Sequence, residues 1–261
     1  MTEIVPSSVF IYIYIFAAVL GSLFGSFLNV VIARLPENGK FFSNTRSQCP
    51  ACGHVIRWYD LFPVFSWIFL LGRCRDCKAR ISIRYPLVEA SGALLAIAAI
   101  WRFGLEPVTI LVYAVTVILL AIALIDHDTS EIPDSLHIAL IPFAILSIWL
   151  LTDITLLSHI IGFFAISVPM LLLSLVIPGA FGGGDIKLIA VCGFLLGWQL
   201  TILAFFIALL IGGSIAVYLM LSGRRKRGEH MVFGPAICVG VATSLYFGKD
   251  ILDLYLSLYG F

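Results

Sequence analysis

Ile177-Pro178-Gly179-Ala180-Phe181-Gly182-Gly183-Gly184-Asp185-Ile186-Lys187-Leu188 interrupts an apolar region with a run of glycines that ends in a carboxylate. A charged side chain at the centre of a membrane helix costs roughly 2.5–3.5 kcal/mol on insertion scales and less near an interface, so an acid here is a candidate functional group. Glycines lack Cβ and permit irregular backbone and close approach of another chain. At membrane depth such backbone is tolerated only against protein or beside a wet cavity. About sixty residues earlier, Asp126-His127-Asp128 closes another apolar run. Two carboxylates at the edges of separate apolar runs suggest a paired-acid site. The plainer reading of each, taken singly, is an interfacial cap or a loop acid.

The chain of 261 residues is 61% hydrophobic and 12% charged, with a mean hydropathy of +1.08. A soluble domain is roughly half apolar and a quarter charged. The composition therefore describes an all-α polytopic membrane protein, in contact with a lipid bilayer, with one polar insert. A net charge of +1 and the lack of a basic patch interleaved with aromatics give no indication of a nucleic-acid partner. The first residues carry Glu3 and no basic residue, so the first apolar run reads as a retained span rather than a signal peptide.

About eight spans follow from the apolar runs: 9–33, 87–103, 107–125, 135–152, 155–177, 186–197, 199–221 and 231–248. The sixth is short for a full crossing at 1.5 Å rise per residue. The expected organisation is a first span over 1–33, an insert over 34–86, a second span over 87–105, a membrane domain over 106–221, and a basic loop with a last span over 222–261. With the N-terminus outside, 14 of the 16 Lys and Arg residues fall on the cytoplasmic side, leaving Arg102 and Lys249 outside. That asymmetry follows the positive-inside rule. It also places the Asp126 and Asp185 segments on the same, cytoplasmic side.

The insert holds Cys49-Pro50-Ala51-Cys52 and Cys74-Arg75-Asp76-Cys77, two C-x-x-C pairs 21 residues apart. Each pair offers two sulfurs from one tight turn, and together Cys49, Cys52, Cys74 and Cys77 make a four-thiolate zinc site. Disulfides are the alternative, but they need an oxidising compartment. His54 is a spare donor that four thiolates do not require. Between the pairs, the aromatic stretch 57–67 suits a membrane interface.

Gly21, Gly25 and Asn29 recur every four residues, on one helix face. They read as a packing face or, less simply, as ligand contacts. Glu89 opens the second span as an interfacial acid, a partner for Arg84, or a functional group. Asp134 follows Pro133, where a helix cap is wanted. Lys187 either positions substrate or snorkels to the interface.

Taken in order, GSFLNVVIARLP (25–36), CPAC, CRDC, RYPLVE (84–89), IDHDTSEIPD (125–134), GGGDIKL (182–188) and FGP (233–235) resemble the type IV prepilin peptidases, the bifunctional leader peptidases and N-methyltransferases of the bacterial cytoplasmic membrane. The resemblance covers most of the chain. It implies that Asp126 and Asp185 are a catalytic aspartate pair, with Gly182, Gly183, Gly184, Lys187 and Asp134 as supporting candidates. It implies prepilin or pseudopilin substrates of type IV pilus or type II secretion systems, and S-adenosylmethionine as methyl donor. The sequence holds no soluble-type nucleotide fingerprint, so the donor site rests on the resemblance alone. Residues 25–89 are then the methyltransferase candidates, with Glu89, Gly25 and Asn29 foremost. An ion-coupled transporter or channel using the same acids, or a methyltransferase without peptidase activity, are the competing readings.

Overall fold

The computed structural model describes residues 7–36, 47–177, 179–223 and 232–258. Pro178, Lys40, Arg46 and the basic run Arg224–Arg227 lie outside the described residues. The chain divides into two compact units, Met1–Thr109 and Ile110–Phe261. The described residues are mostly helical and form no strand, with two isolated β-bridges in the insert.

The first unit pairs α1 (Ser7–Arg34) with α3 (Arg84–Phe103). Small residues set how closely they approach. A Cβ on Gly21 would sit 2.5 Å from the Gly92 carbonyl oxygen, and one on Gly25 2.7 Å from the Glu89 Cα. Asn29 on the same face donates its Nδ2 hydrogen to the Tyr85 carbonyl at 3.1 Å. Between these helices lie a 3-10 turn (Trp58–Leu61) and the five-residue α2 (Phe65–Phe69).

The second unit contains α4 (Pro107–Thr129), α5 (Asp134–Leu150), α6 (Leu156–Ala165), α7 (Ser167–Val176), α8 (Gly183–Leu196), α9 (Trp198–Leu221) and α10 (Gly234–Leu258). The 14-residue α8 packs against α5, α6, α7, α9 and α10. At 1.5 Å per residue it spans about 21 Å, and eight of its residues are buried. It is thus the core helix of this unit, enclosed by five neighbouring helices. Helices α6 and α7 together fill the run expected over 155–177, with a break at Ile166. Pro169 explains the break, since it cannot donate to the Ala165 carbonyl and its ring crowds that turn.

Among the described residues, five stretches are long and apolar enough to cross a membrane: Val9–Arg34, Arg84–Phe103, Pro107–Thr129, Leu156–Val176 and Trp198–Leu221. The chain is therefore a multi-pass membrane protein. Two boundaries differ from the sequence expectation by four residues or more. Helix α4 does not stop at Ile125 but runs through Asp126 to Thr129, so the expected acidic loop of 126–134 shrinks to 130–133. Ser130, in the left-handed region at φ 56°, ends it, and its amide bonds to the Asp126 carbonyl at 2.8 Å. At the other end of the chain, α10 continues past Gly248 to Leu258.

Candidate active site

Asp126 lies on the last turn of α4 and Asp185 in the first turn of α8, with 5% and 9% of their surfaces exposed. The first turn of α8, which carries Asp185, and the Gly234 turn on the Asp126 carboxylate both reach Ile132, so the two carboxylates lie on neighbouring turns within electrostatic reach of each other. Three glycines and Ile132 shape the space between them. Gly234, the first residue of α10, sits directly on the Asp126 carboxylate, and its amide reaches that group. A Cβ on Gly234 would also meet Ile132 Cδ1 at 3.3 Å, and one on Gly184 would meet Ile132 Cβ at 3.1 Å. Ile132 is therefore the spacer that α8 and α10 both touch. Asp126 Oδ2 is buried with no hydrogen-bond partner, an arrangement that favours a functional group over a structural one.

Asp185 is the third residue of α8, counting from the N-cap Gly182. Its carboxylate reaches back to the Gly182 amide, as an acid at that position does in a capping box. A Cβ on Gly182 would lie 3.1 Å from Asp185 Oδ2. Both carboxylates thus sit at helix N-termini, Asp185 at that of α8 and Asp126 against that of α10, where the dipole favours negative charge. Gly182 and Gly183 are exposed just ahead of buried Asp185, so backbone rather than side chains borders the approach. Phe181 and Phe233, the residues preceding the two glycine turns, pack together with centroids 5.7 Å apart, and Phe205 of α9 closes a trio with them.

The remaining acids separate clearly. Asp128 stays on the helix and is exposed, two residues and about 200° away from Asp126. Asp134 is the first residue of α5 rather than its cap, which is Pro133, and makes no capping bond. It instead accepts from Lys187 Nζ at 2.7 Å, so the lysine is neither a lone snorkelling cation nor aimed away from the site. Two contributors escaped the sequence reading. Gly234 had a signal in the FGP triplet, but nothing local tied it to Asp126. His137, buried on α5, places Nε2 3.0 Å from the Gly184 carbonyl oxygen; its spacing of three from Asp134 was the available clue.

In the first unit, Glu89 accepts from the Val64 amide at 2.7 Å and from the Ser26 side chain. It therefore ties α2 and α1 to the start of α3. The four cysteines are assembled as expected. Cys49, Cys52, Cys74 and Cys77 bring their sulfurs within 4.8 Å of one another, and Cys49 and Cys77 are 3.8 Å apart. Tetrahedral thiolate ligation at about 2.3 Å gives S···S edges of about 3.8 Å, so the set fits a metal ion. The two knuckles repeat one geometry. Cys49 and Cys74 accept from the amides of Gly53 and Lys78 at 2.8 and 3.1 Å, and both of those residues take positive φ. All six cysteines are free thiols. The amides of Ala51 and Cys52 push the Cys49 thiol down to about 7, while burial and the Cys77 and Cys49 sulfurs push Cys52 up to about 12, so the first proton leaves the cluster at Cys49. His54 stands apart, 3.7 Å from Asp76.

At the family level, residues 19–103 match the Bacterial Peptidase A24 N-terminal domain and residues 113–217 match the Type IV leader peptidase family. A protein of Pseudomonas putida called prepilin leader peptidase/N-methyltransferase is 33% identical over 96% of this chain and 96% of its own length. One of the same name from Pseudomonas aeruginosa is 32% identical over 93% of each. Another, from Bacillus subtilis, is 30% identical over 92% of this chain and 96% of its own length. No solved structure matches.

Proposed function

The chain belongs to the type IV leader peptidase family, and on that footing we propose that it removes the leader peptide of prepilins or pseudopilins by an aspartic mechanism and methylates the new N-terminus. The observation that carries the proposal is the meeting of Asp126 and Asp185, buried, from two helices distant in sequence. Two close carboxylates do not ionise together easily and share one proton. The ionised member takes a proton from water, which attacks the scissile carbonyl; the protonated member donates to the carbonyl oxygen. The exposed backbone at Gly182 and Gly183 lets an extended chain approach without side-chain obstruction. Ile132 borders the pair, within reach of both Gly184 and Gly234.

The first unit is proposed to serve methylation, as its match to a separate N-terminal family domain suggests. S-adenosylmethionine supplies an electrophilic methyl group, and the chain's task is to hold the new amine unprotonated and in line. Glu89 is the acid proposed to hold that amine, although it already secures Val64 and Ser26. Cys49, Cys52, Cys74 and Cys77 are proposed to hold zinc in a structural role, since a closed four-thiolate set leaves no open position for substrate. The positive-inside asymmetry supports a cytoplasmic-membrane location with the aspartate pair facing the cytoplasm.

The test is incubation of purified protein with a prepilin and a labelled methyl donor. Loss of the leader followed by label on the new N-terminus supports the proposal. Label without leader loss leaves a methyltransferase alone, and neither event points to transport.

A further inference from the structure

We propose that His137 is a positioning residue for Asp185, an inference that rests on the aspartate-pair reading. Gly182, Gly183 and Gly184 give the first turn of α8 no side chains by which its neighbours can hold it. A Cβ on Gly183 would meet nothing within 4 Å, so that flank is open, and Gly182 provides no side-chain cap. Rigid placement of a reacting group therefore has to come from elsewhere. Helix α5 supplies it through two side chains one turn apart.

His137 is 5% exposed and places Nε2 3.0 Å from the Gly184 oxygen. A carbonyl only accepts, so Nε2 carries the hydrogen and donates. The Gly184 carbonyl is half of the peptide group whose nitrogen belongs to Asp185. The bond therefore fixes the plane from which the Asp185 side chain departs. One turn earlier, Asp134 Oδ1 is 2.7 Å from Lys187 Nζ and 3.7 Å from His137 Nδ1. The first turn of α5 thus holds the first turn of α8 on both sides of Asp185, at Gly184 and at Lys187. His137 Nδ1 is turned to its own helix start, towards Asp134 and the Pro133 backbone, which leaves Nε2 as the ring atom directed at the Asp185 peptide. A histidine serving only to fill the core would not need a donor at that position.

The experiment compares His137→Leu, His137→Asn and His137→Gln in the full-length purified protein, with Asp185→Asn alongside. Gln carries an amide donor near the place of Nε2, Asn falls one bond short, and Leu has none. Kinetics of prepilin leader removal, methylation of pre-cleaved substrate and thermal stability are read together. Leu and Asn are expected to lower kcat by up to about 10²-fold, the cost of displacing a reacting group by about 1 Å. KM and methylation stay within about twofold, and Gln recovers most of kcat. Leader removal by His137→Leu at the wild-type rate, with Asp185→Asn inactive, overturns this inference alone. Equal loss in Leu, Asn and Gln, in step with lost thermal stability, overturns it in favour of core packing. An active Asp185→Asn overturns the aspartate-pair reading, and this inference with it.

Discussion

Gly234→Ala tests the packing of the Asp126 carboxylate most sharply, because a single methyl group would be placed against it. The added Cβ would sit on Oδ2, 3.0 Å from Asp126 Cγ and 3.3 Å from Ile132 Cδ1. Comfortable contacts between non-bonded carbons lie at about 3.5–4.0 Å, so the carboxylate must move by roughly 0.5–1 Å or α10 must retreat. Ile132 blocks one escape, since it also touches Gly184. Overpacking of this kind costs about 1–3 kcal/mol, and a displacement near 1 Å at a reacting group lowers its rate by about 10²-fold. Gly213→Ala in α9 is the matched control, because its Cβ would meet nothing within 4 Å. Replacing a mid-helix glycine by alanine gains about 0.5–1 kcal/mol. Steady-state leader removal with a prepilin, alongside thermal melting of both variants, reads the two effects. Gly234→Ala cleaving at more than half the wild-type rate would show that Asp126 is not held where its geometry matters.

The metal centre predicts that purified protein carries about one zinc, and that Cys74→Ser loses most of it together with thermal stability, since a structural site contributes to folding; metal analysis showing full retention would contradict the four-thiolate assignment. Zinc affinity should also weaken steadily as pH falls, because every thiol still protonated must shed its proton to bind; a pH-independent chelator competition would refute this. Glu89→Gln should reduce methylation more than cleavage if Glu89 holds the new amine. Equal loss of both would assign it to tying α1 and α2 onto α3.

The apolar runs made the helices legible because each is long and bounded by charge or by glycine and proline. The paired C-x-x-C spacing, with a knuckle around each pair, made the metal cluster legible for a similarly local reason. The ends of helices were less so. Asp126, His127 and Asp128 read as a loop from their polarity, yet α4 carries them for another turn before Ser130 turns the chain. Asp134 read as a cap from its place after Pro133, but its partner is Lys187, 53 residues on. Such pairings are set by tertiary packing of α5 on α8, which no local pattern encodes. The same holds for Gly234, which meets Asp126 only because α10 runs back along α4, with Tyr246 near Thr116 and Cys238 near Ala123.

The central claim is that Asp126 and Asp185 act as one catalytic pair. The most direct measurement is leader removal from a prepilin by Asp126→Asn, Asp185→Asn and the double variant, with zinc content and methylation of pre-cleaved substrate followed in the same preparations. An amide keeps the shape of the carboxyl but cannot exchange its proton. Each single variant should therefore abolish cleavage, the double variant should be no worse than either because paired residues act as a unit, and zinc and methylation should be retained. Asp128→Asn, on the opposite face of α4, should still cleave. Normal cleavage by Asp185→Asn, or by Asp126→Asn while Asp128→Asn is inactive, would contradict the account.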